Sequence, residues 1–258
     1  MSAVRGSRLL LARVRGPEND LAFAVTDAAC WVAVLTRPGA AGDPVGVFRA
    51  ECSAAEADAA WSAATAALDA STAGVGGDTG WLLDLDGHAD DVPHTIAVEA
   101  GLDAAVDPLI TRALDSPVGA VRLEVHVVDV PGMGAMLGCT LATIGAEPVV
   151  LLLDAERFAV TLDTGDAVTL APPSLGLVDG DGSFRDGIRA TAELPAGSRA
   201  SCSFPLAALT AAGVPDANAI AAASLSGWLA LVGPWAGGPM ERFVLRAPAQ
   251  IVPSSALG

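Results

Sequence analysis

The chain has 258 residues, with 30 acidic side chains against 14 basic ones and a net charge of −16, and every basic residue is arginine. Such an acidic excess repels a nucleic-acid backbone, and no apolar run reaches the ~18 residues that a membrane-spanning helix needs. With 52% of its residues apolar, the chain has core material for one large domain or two ordinary ones.

Residues 8–14 read as an opening strand, closed by the dense turn signal Gly16-Pro17-Glu18-Asn19-Asp20. The apolar run Leu9-Leu10-Leu11-Ala12 is too short for a signal-peptide core, so a cytoplasmic chain is expected. Residues 21–26 and 30–36 are rich in Val, Phe and Trp, and Asp27-Ala28-Ala29 joins them as a hairpin. After a Pro- and Gly-bearing loop, 45–51 is a further strand. Ser53 and Glu56 have the spacing of a capping box, which starts an alanine-rich helix over 54–70. Residues 71–80 form a Gly/Ser/Thr loop, and 81–85 and 95–99 are strands.

Residues 101–117 read as a helical connection, with an amphipathic helix over 102–114 that is interrupted or started at Pro108. Residues 121–130 are strongly β-branched and extended. The glycines of 131–138 then predict a break, with 132–138 serving as an apolar contact loop or crossing point. Strands are predicted at 149–154, 158–162 and 167–170, with Asp163-Thr164-Gly165-Asp166 turning between the last two. After an insertion at 172–187, residues 188–193 and 199–203 read as a hairpin around Pro195-Ala196-Gly197. A short helix from Ser203, strands at 228–232 and 242–246, and a tail at 253–258 complete the chain.

Short strings recur in the same order. Phe23-Ala24-Val25-Thr26 returns as Phe158-Ala159-Val160-Thr161. The string around Arg49, Ala50, Cys52 and Ser53 returns around Arg199, Ala200, Cys202 and Ser203, and Gly80-Trp81-Leu82 returns as Gly227-Trp228-Leu229. Cys and Trp are rare, four and five in the chain, so their ordered repetition carries more weight than matches among alanines. The expected class is β-rich α+β, in two tandem pseudo-symmetric halves with antiparallel sheets and one main helix each. The halves span 1–100 and 118–252. Trp81, Leu83 and Leu85 are expected on the inner face of one half, beneath its helix, and Trp228, Ala230 and Val232 on the inner face of the other.

Four stretches bear on chemistry. Cys30, Cys52, Cys139 and Cys202 lack metal-ligand spacing and read as buried packing thiols; a Cys52–Cys202 link between halves is disfavoured in a reducing cytoplasm. In Trp81-Leu82-Leu83-Asp84-Leu85-Asp86-Gly87-His88, an apolar strand runs into Asp-x-Asp-Gly. This string resembles the first motif of haloacid-dehalogenase-type phosphatases. The resemblance implies Asp84 as nucleophile, Asp86 handling the leaving-group proton and Mg²⁺ between them. It covers eight residues, His88 stands where Thr or Ser is usual, and no lysine is present to hold a phosphate. The acids of the 179–186 loop, Asp179, Asp181 and Asp186, alternate with glycines in a way that suits weak Ca²⁺ binding, without the terminal Glu of an EF-hand. His88 and His94 flank Asp90-Asp91, and His126 alternates with valines in a strand; all three read more simply as surface or satisfied histidines.

Polar reactive groups do not converge, while paired sheets offer edges that accept partner strands. The sequence therefore predicts a non-enzymatic binding or assembly protein that acts through a protein partner or self-association. No cofactor, resident metal, nucleic acid or membrane is expected. The alternative is a Mg²⁺-dependent phosphohydrolase using the Asp84-Leu85-Asp86-Gly87 loop.

Overall fold

A computed structural model describes residues 10–15, 20–36, 42–70, 80–85, 94–96, 100–130, 134–170, 176–177, 189–214 and 216–252. The chain is mixed α/β and strand-rich. Its contacts group into two units: Met1–Pro38 with Gly46–Val118 and Val232–Ala236, and Gly39–Val45 with Gly119–Leu231 and Gly237–Gly258.

The first unit holds β1 (Leu10–Arg15), β2 (Asp20–Val25), β3 (Ala29–Thr36), β4 (Val45–Glu51), β5 (Gly80–Leu85) and β6 (His94–Ile96), with α1 (Ala54–Ala70) and α2 (Ala100–Leu114). Its strands lie in the order β4-β3-β2-β1-β5-β6, antiparallel throughout. The β2–β3 hairpin closes where Thr26 N–H donates to Ala29 O at 2.9 Å and the Thr26 hydroxyl reaches the same carbonyl at 3.1 Å. β3 is buried almost along its whole length, with Cys30, Val32, Ala33, Val34 and Leu35 each at 1% exposure or less. A strand covered on both faces has no polar positions to alternate with, which is why its sequence is a continuous apolar run.

α1 buries a stripe of alanines, Ala57, Ala60, Ala64 and Ala67. α2 buries the larger stripe Leu102, Val106, Leu109 and Ala113 at helical spacing. α2 packs on both α1 and β3. The small residues of α1 let the two helix axes approach closely, and the leucines of α2 fill the space toward the sheet. Pro108 lies within α2 on its exposed side, where the carbonyl left without a donor faces water. The helix runs through this proline rather than breaking at it.

The second unit contains β7 (Pro117–Val130), β8 (Gly134–Gly145), β9 (Val149–Leu162), β10 (Ala167–Leu170), β11 (Gly176–Leu177), β12 (Arg189–Leu194), β13 (Arg199–Pro205), α3 (Leu206–Ala211), β14 (Ile220–Leu229) and β15 (Glu241–Val252). β7 begins at the boundary between the units. β10 and β12 both flank β9, and the ladder continues β9-β14-β15-β7-β8-β13-β11. All these pairs are antiparallel except β15 with β7, which is parallel. Inward residues alternate: Val121, Leu123, Val125 and Val127 on β7, Leu137, Cys139 and Leu141 on β8, and Phe243, Leu245 and Ala247 on β15. Phe158 of β9 stacks on Phe204 of β13, with ring centroids 4.9 Å apart. Strands distant in the ladder thus meet across one core, so the sheet curls on itself.

Several sequence expectations need correction. The glycine-bearing stretch 134–138 is not a loop but the start of β8, paired along its length with β7 and from Met136 onward with β13 as well. Residues 188–193 and 199–203 do not form a hairpin: β12 joins β9, whereas β13 joins β8. The connection is held as a corner by buried Thr143. Its hydroxyl donates to Pro195 O at 2.8 Å and Ser198 O at 3.1 Å, and its N–H donates to Ser198 O at 3.0 Å. Of the three helices among the described residues, α1 lies within residues 1–100, α2 spans the expected connection and the six-residue α3 lies within residues 118–252. The antiparallel expectation fails at β7–β15.

Trp228, Ala230 and Val232 are half-buried and do not form the inner face. Leu225, Leu229 and Leu231 are buried, and Trp228 is half-buried between Leu152 and Arg242. α3 contacts β13 and β8, away from this ring. The side chains of Trp81, Leu83 and Leu85 lie outside the described residues. Of the repeated strings, Cys52 sits in the connection from β4 to α1, whereas Cys202 is inside β13 opposite Cys139. Trp81 is on a strand between β1 and β6, and Trp228 on one between β9 and β15.

Candidate functional site

Asp84 is the fifth residue of β5, an interior strand, with its backbone opposite Leu11 of β1. Asp86, Gly87 and His88 lie outside the described residues, as do Asp179, Asp181 and Asp186. Among the described residues, no group of three or more His, Cys, Asp or Glu side chains is placed to hold a metal ion. No described helix is long and apolar enough to cross a membrane.

Two clusters of charge are well defined. The first sits where β4 passes into α1. Ser53 N–H donates to Glu56 Oε2 at 2.8 Å and the Ser53 hydroxyl donates to the same oxygen at 2.7 Å, while Glu56 N–H donates to Ser53 Oγ at 3.3 Å. This is the reciprocal capping box that the Ser53–Glu56 spacing implies. The other carboxylate oxygen, Oε1, accepts from both Nη1 and Nη2 of Arg112 at 2.9 Å each. Glu56 lies in the first turn of α1 and Arg112 in the last turn of α2, so each charge also complements its helix dipole. The hydrogen bonds from Arg112, and then those from Ser53, hold the Glu56 carboxyl down at about 2.

Beneath this cluster lie Cys52, whose thiol donates weakly to Ser53 O at 3.5 Å, and Cys30. Burial, with added repulsion from Cys52, pushes the Cys30 thiol up to about 12. Burial, and then the Glu56 charge, raises Cys52 as well, against a smaller opposing pull from Arg112. A thiolate is the reactive form, so both thiols are expected to label slowly in the folded protein at neutral pH and rapidly in denaturant. Fast native labelling of Cys30 would contradict the packing described.

The Glu56 cluster also sets a pH dependence. Its folded pKa lies below the ordinary value of 4.5, so its contribution to stability is complete above about 4.5 and is lost as the pH falls toward about 2. Glu56→Gln should therefore flatten the acid limb of a melting-temperature profile between those values and leave its shape above pH 6 unchanged. An identical acid limb in wild type and variant would show that the pair contributes nothing to folding.

The second cluster lies on the outer face of β7, β8 and β13. Glu124 accepts from Arg122 Nη2 at 2.7 Å and is also hydrogen-bonded by Arg199. Burial pushes the Glu124 carboxyl up, but the Arg122 hydrogen bond and the charges of both arginines outweigh it and hold it below its ordinary range. Arg122 and Arg199 flank Ala142 in one row of the sheet, and His126 lies four rows beyond, beside Gly138. His126 Nδ1 is buried without a hydrogen-bond partner among the described residues. The sequence suggests a surface or satisfied His126, which its buried Nδ1 is not, and gives no sign of the Arg122–Glu124–Arg199 cluster or of Arg112. The Arg-x-Glu spacing at 122–124 puts both side chains on one face of a strand, but Arg199 reaches them only through the β8–β13 pairing.

Neither cluster pairs a nucleophile with a base. Each carboxylate is held ionised by arginine, and each described thiol with a resolved shift is held protonated. No protein-family profile matches the chain, and no curated protein matches it.

Proposed function

We propose that this chain is a non-enzymatic binding or assembly protein that works in the cytoplasm through a protein partner, or through a second copy of itself. One observation carries the reading: the direction in which its groups are shifted. General acid–base and nucleophilic sites bring pKa values toward neutrality. Here Glu56 is moved down to about 2 and Cys30 up to about 12, each away from it. These groups serve folding. What the fold offers a partner is sheet edge: β10 has only β9 as its neighbour among the described strands, and β6 has only β5. Such edges accept an added strand through main-chain hydrogen bonds. The net charge of −16 argues against a nucleic acid as the partner. Descent of the two sheets from one duplicated unit belongs to the same proposal and rests on the repeated sequence strings alone.

The test compares wild type with Asp84→Asn for hydrolysis of a generic aryl phosphate with and without Mg²⁺. The expected result is no turnover above background in either protein. Mg²⁺-dependent turnover that disappears in Asp84→Asn would overturn the proposal in favour of a phosphohydrolase. In parallel, Thr169→Lys places a charge on the exposed edge strand β10. It is expected to weaken association, measured by light scattering or with a co-purifying protein, while the melting temperature is retained.

A further inference from the structure

The arginines of the second unit gather on one face of its sheet. His126 of β7 stands opposite Gln250 of β15. Arg122 lies an even number of residues from His126 on β7, and Arg242 and Arg246 an even number from Gln250 on β15. Side chains alternate along a strand, and residues directly opposite one another share a face. Arg122, Arg242 and Arg246 therefore stand on the same face, away from the buried Val121, Val125, Phe243 and Leu245. Arg199 joins them through Ala142, which stands between it and Arg122. All four arginines are exposed, and they are the arginines of this unit whose side chains are described.

The acids are placed differently. The same face runs from Arg242 through Trp228 and Leu152 to β12, where Glu193 stands opposite Val150. Among the described side chains, its strand positions hold two carboxylates, Glu124 and Glu193. Glu124 is bound by Arg122 and Arg199, whereas neither Arg242 nor Arg246 forms an ion pair among the described residues. Four arginines against two glutamates leave this face net positive in a chain whose net charge is −16. Arg242 and Arg246 lie about 13 Å apart along β15, with half-buried Val244 between them and half-buried Trp228 opposite Arg242. Tryptophan beside arginine is the composition that interface hot spots favour.

We infer that this face docks an acidic surface of a protein partner, whose carboxylates pair with Arg242 and Arg246 on either side of Val244. Arg122 and Arg199 add the guanidinium donors that Glu124 leaves unused. The planar fork of arginine suits a carboxylate because it donates two parallel hydrogen bonds. A nucleic acid is disfavoured, since a long polyanion continues past the face and meets the acidic remainder of the chain. A second copy is disfavoured by the repulsion between two chains of like net charge. The inference rests on the reading of the chain as a protein-binding module and adds the chemistry of the partner.

The experiment titrates the full chain with poly-L-glutamate by calorimetry at about 50 mM and about 300 mM salt. Double-stranded DNA and anionic phospholipid vesicles are parallel arms. The expected result is poly-L-glutamate binding at low salt that weakens as salt rises. The double variant Arg242→Gln, Arg246→Gln should bind about tenfold more weakly. Its melting temperature should stay within about 2 °C of wild type, because both side chains are exposed. Arg49→Gln, which removes an exposed arginine of the first unit, should bind as wild type does. Absence of binding, undiminished binding by the double variant or an equal loss in Arg49→Gln would overturn the inference. So would DNA or vesicles held more tightly than poly-L-glutamate and released by the double substitution, or self-association that the double substitution abolishes. Failure here while Thr169→Lys still weakens association strikes the partner's chemistry alone; Mg²⁺-dependent turnover of the aryl phosphate strikes the broader reading.

Discussion

Phe204→Ala is expected to destabilise the second unit by about 4 kcal/mol, within the ~3–5 kcal/mol found when a large aromatic site is emptied. Phe204 is 1% exposed on β13, and its ring lies 4.9 Å from that of Phe158 on β9, with 20° between the planes. Stacking accounts for about 0.5–1.5 kcal/mol of the expected loss. The larger part comes from apolar area returned to water and from a cavity that two opposed β-surfaces cannot close, because main-chain ladders fix both. Ser203→Ala, one residue away on the exposed face, is expected to stay within about 0.5 kcal/mol of wild type. Denaturant midpoints measure both. A Phe204→Ala loss below about 1.5 kcal/mol would mean that Phe158 and its neighbours refill the space, and that these strands do not define a rigid core.

Gly233→Ala is expected to cost about 3 kcal/mol through a different mechanism. Gly233 opens the short 3₁₀ turn 233–235 with φ at +68°, a region that a side chain enters at about 1–2 kcal/mol. A β-carbon at this position would lie 2.7 Å from two ring carbons of Trp31, so the turn or the indole must shift. Trp31 is constrained: it sits between Ala24 and Arg49 in the sheet, and the Arg49 guanidinium lies over its ring at 5.3 Å. Overpacking of this kind adds about 1–3 kcal/mol. Gly237→Ala separates the two contributions, because Gly237 also has a positive φ, +79°, but nothing within 4 Å of its would-be β-carbon. It should show the backbone cost alone. Equal losses at 233 and 237 would remove the contact with Trp31 from the explanation.

What the sequence determined by itself was local. The Ser53–Glu56 spacing specifies the start of α1 because a capping box is satisfied within one turn and needs no other part of the chain. The β2–β3 hairpin and the 163–166 turn are equally self-contained: Gly165 N–H donates to Leu162 O, and Leu162 N–H to Asp166 O, at 2.8 Å each. Strand-rich class follows from the β-branched and aromatic runs. The tertiary structure decided everything that depends on which strand finds which. β8 carries three glycines, Gly134, Gly138 and Gly145, and local propensity speaks against it. It is extended because β7 and β13 supply ladders on both sides. The corner at 195–198 has the residues of a hairpin turn and becomes a sheet crossing because Thr143, remote in sequence, holds it. In β9 the buried positions switch from Val149 and Leu151 to Phe158 and Val160, since the four residues 154–157 of β9 face only Ser226 of β14 between the Leu153 and Phe158 pairings. The Arg112–Glu56 and Arg199–Glu124 pairs join residues 56 and 75 positions apart, as the opposition of Cys139 and Cys202 joins distant ones. A period or a cap can be read from a few neighbouring residues, whereas a strand partner is selected by the packing of the whole sheet.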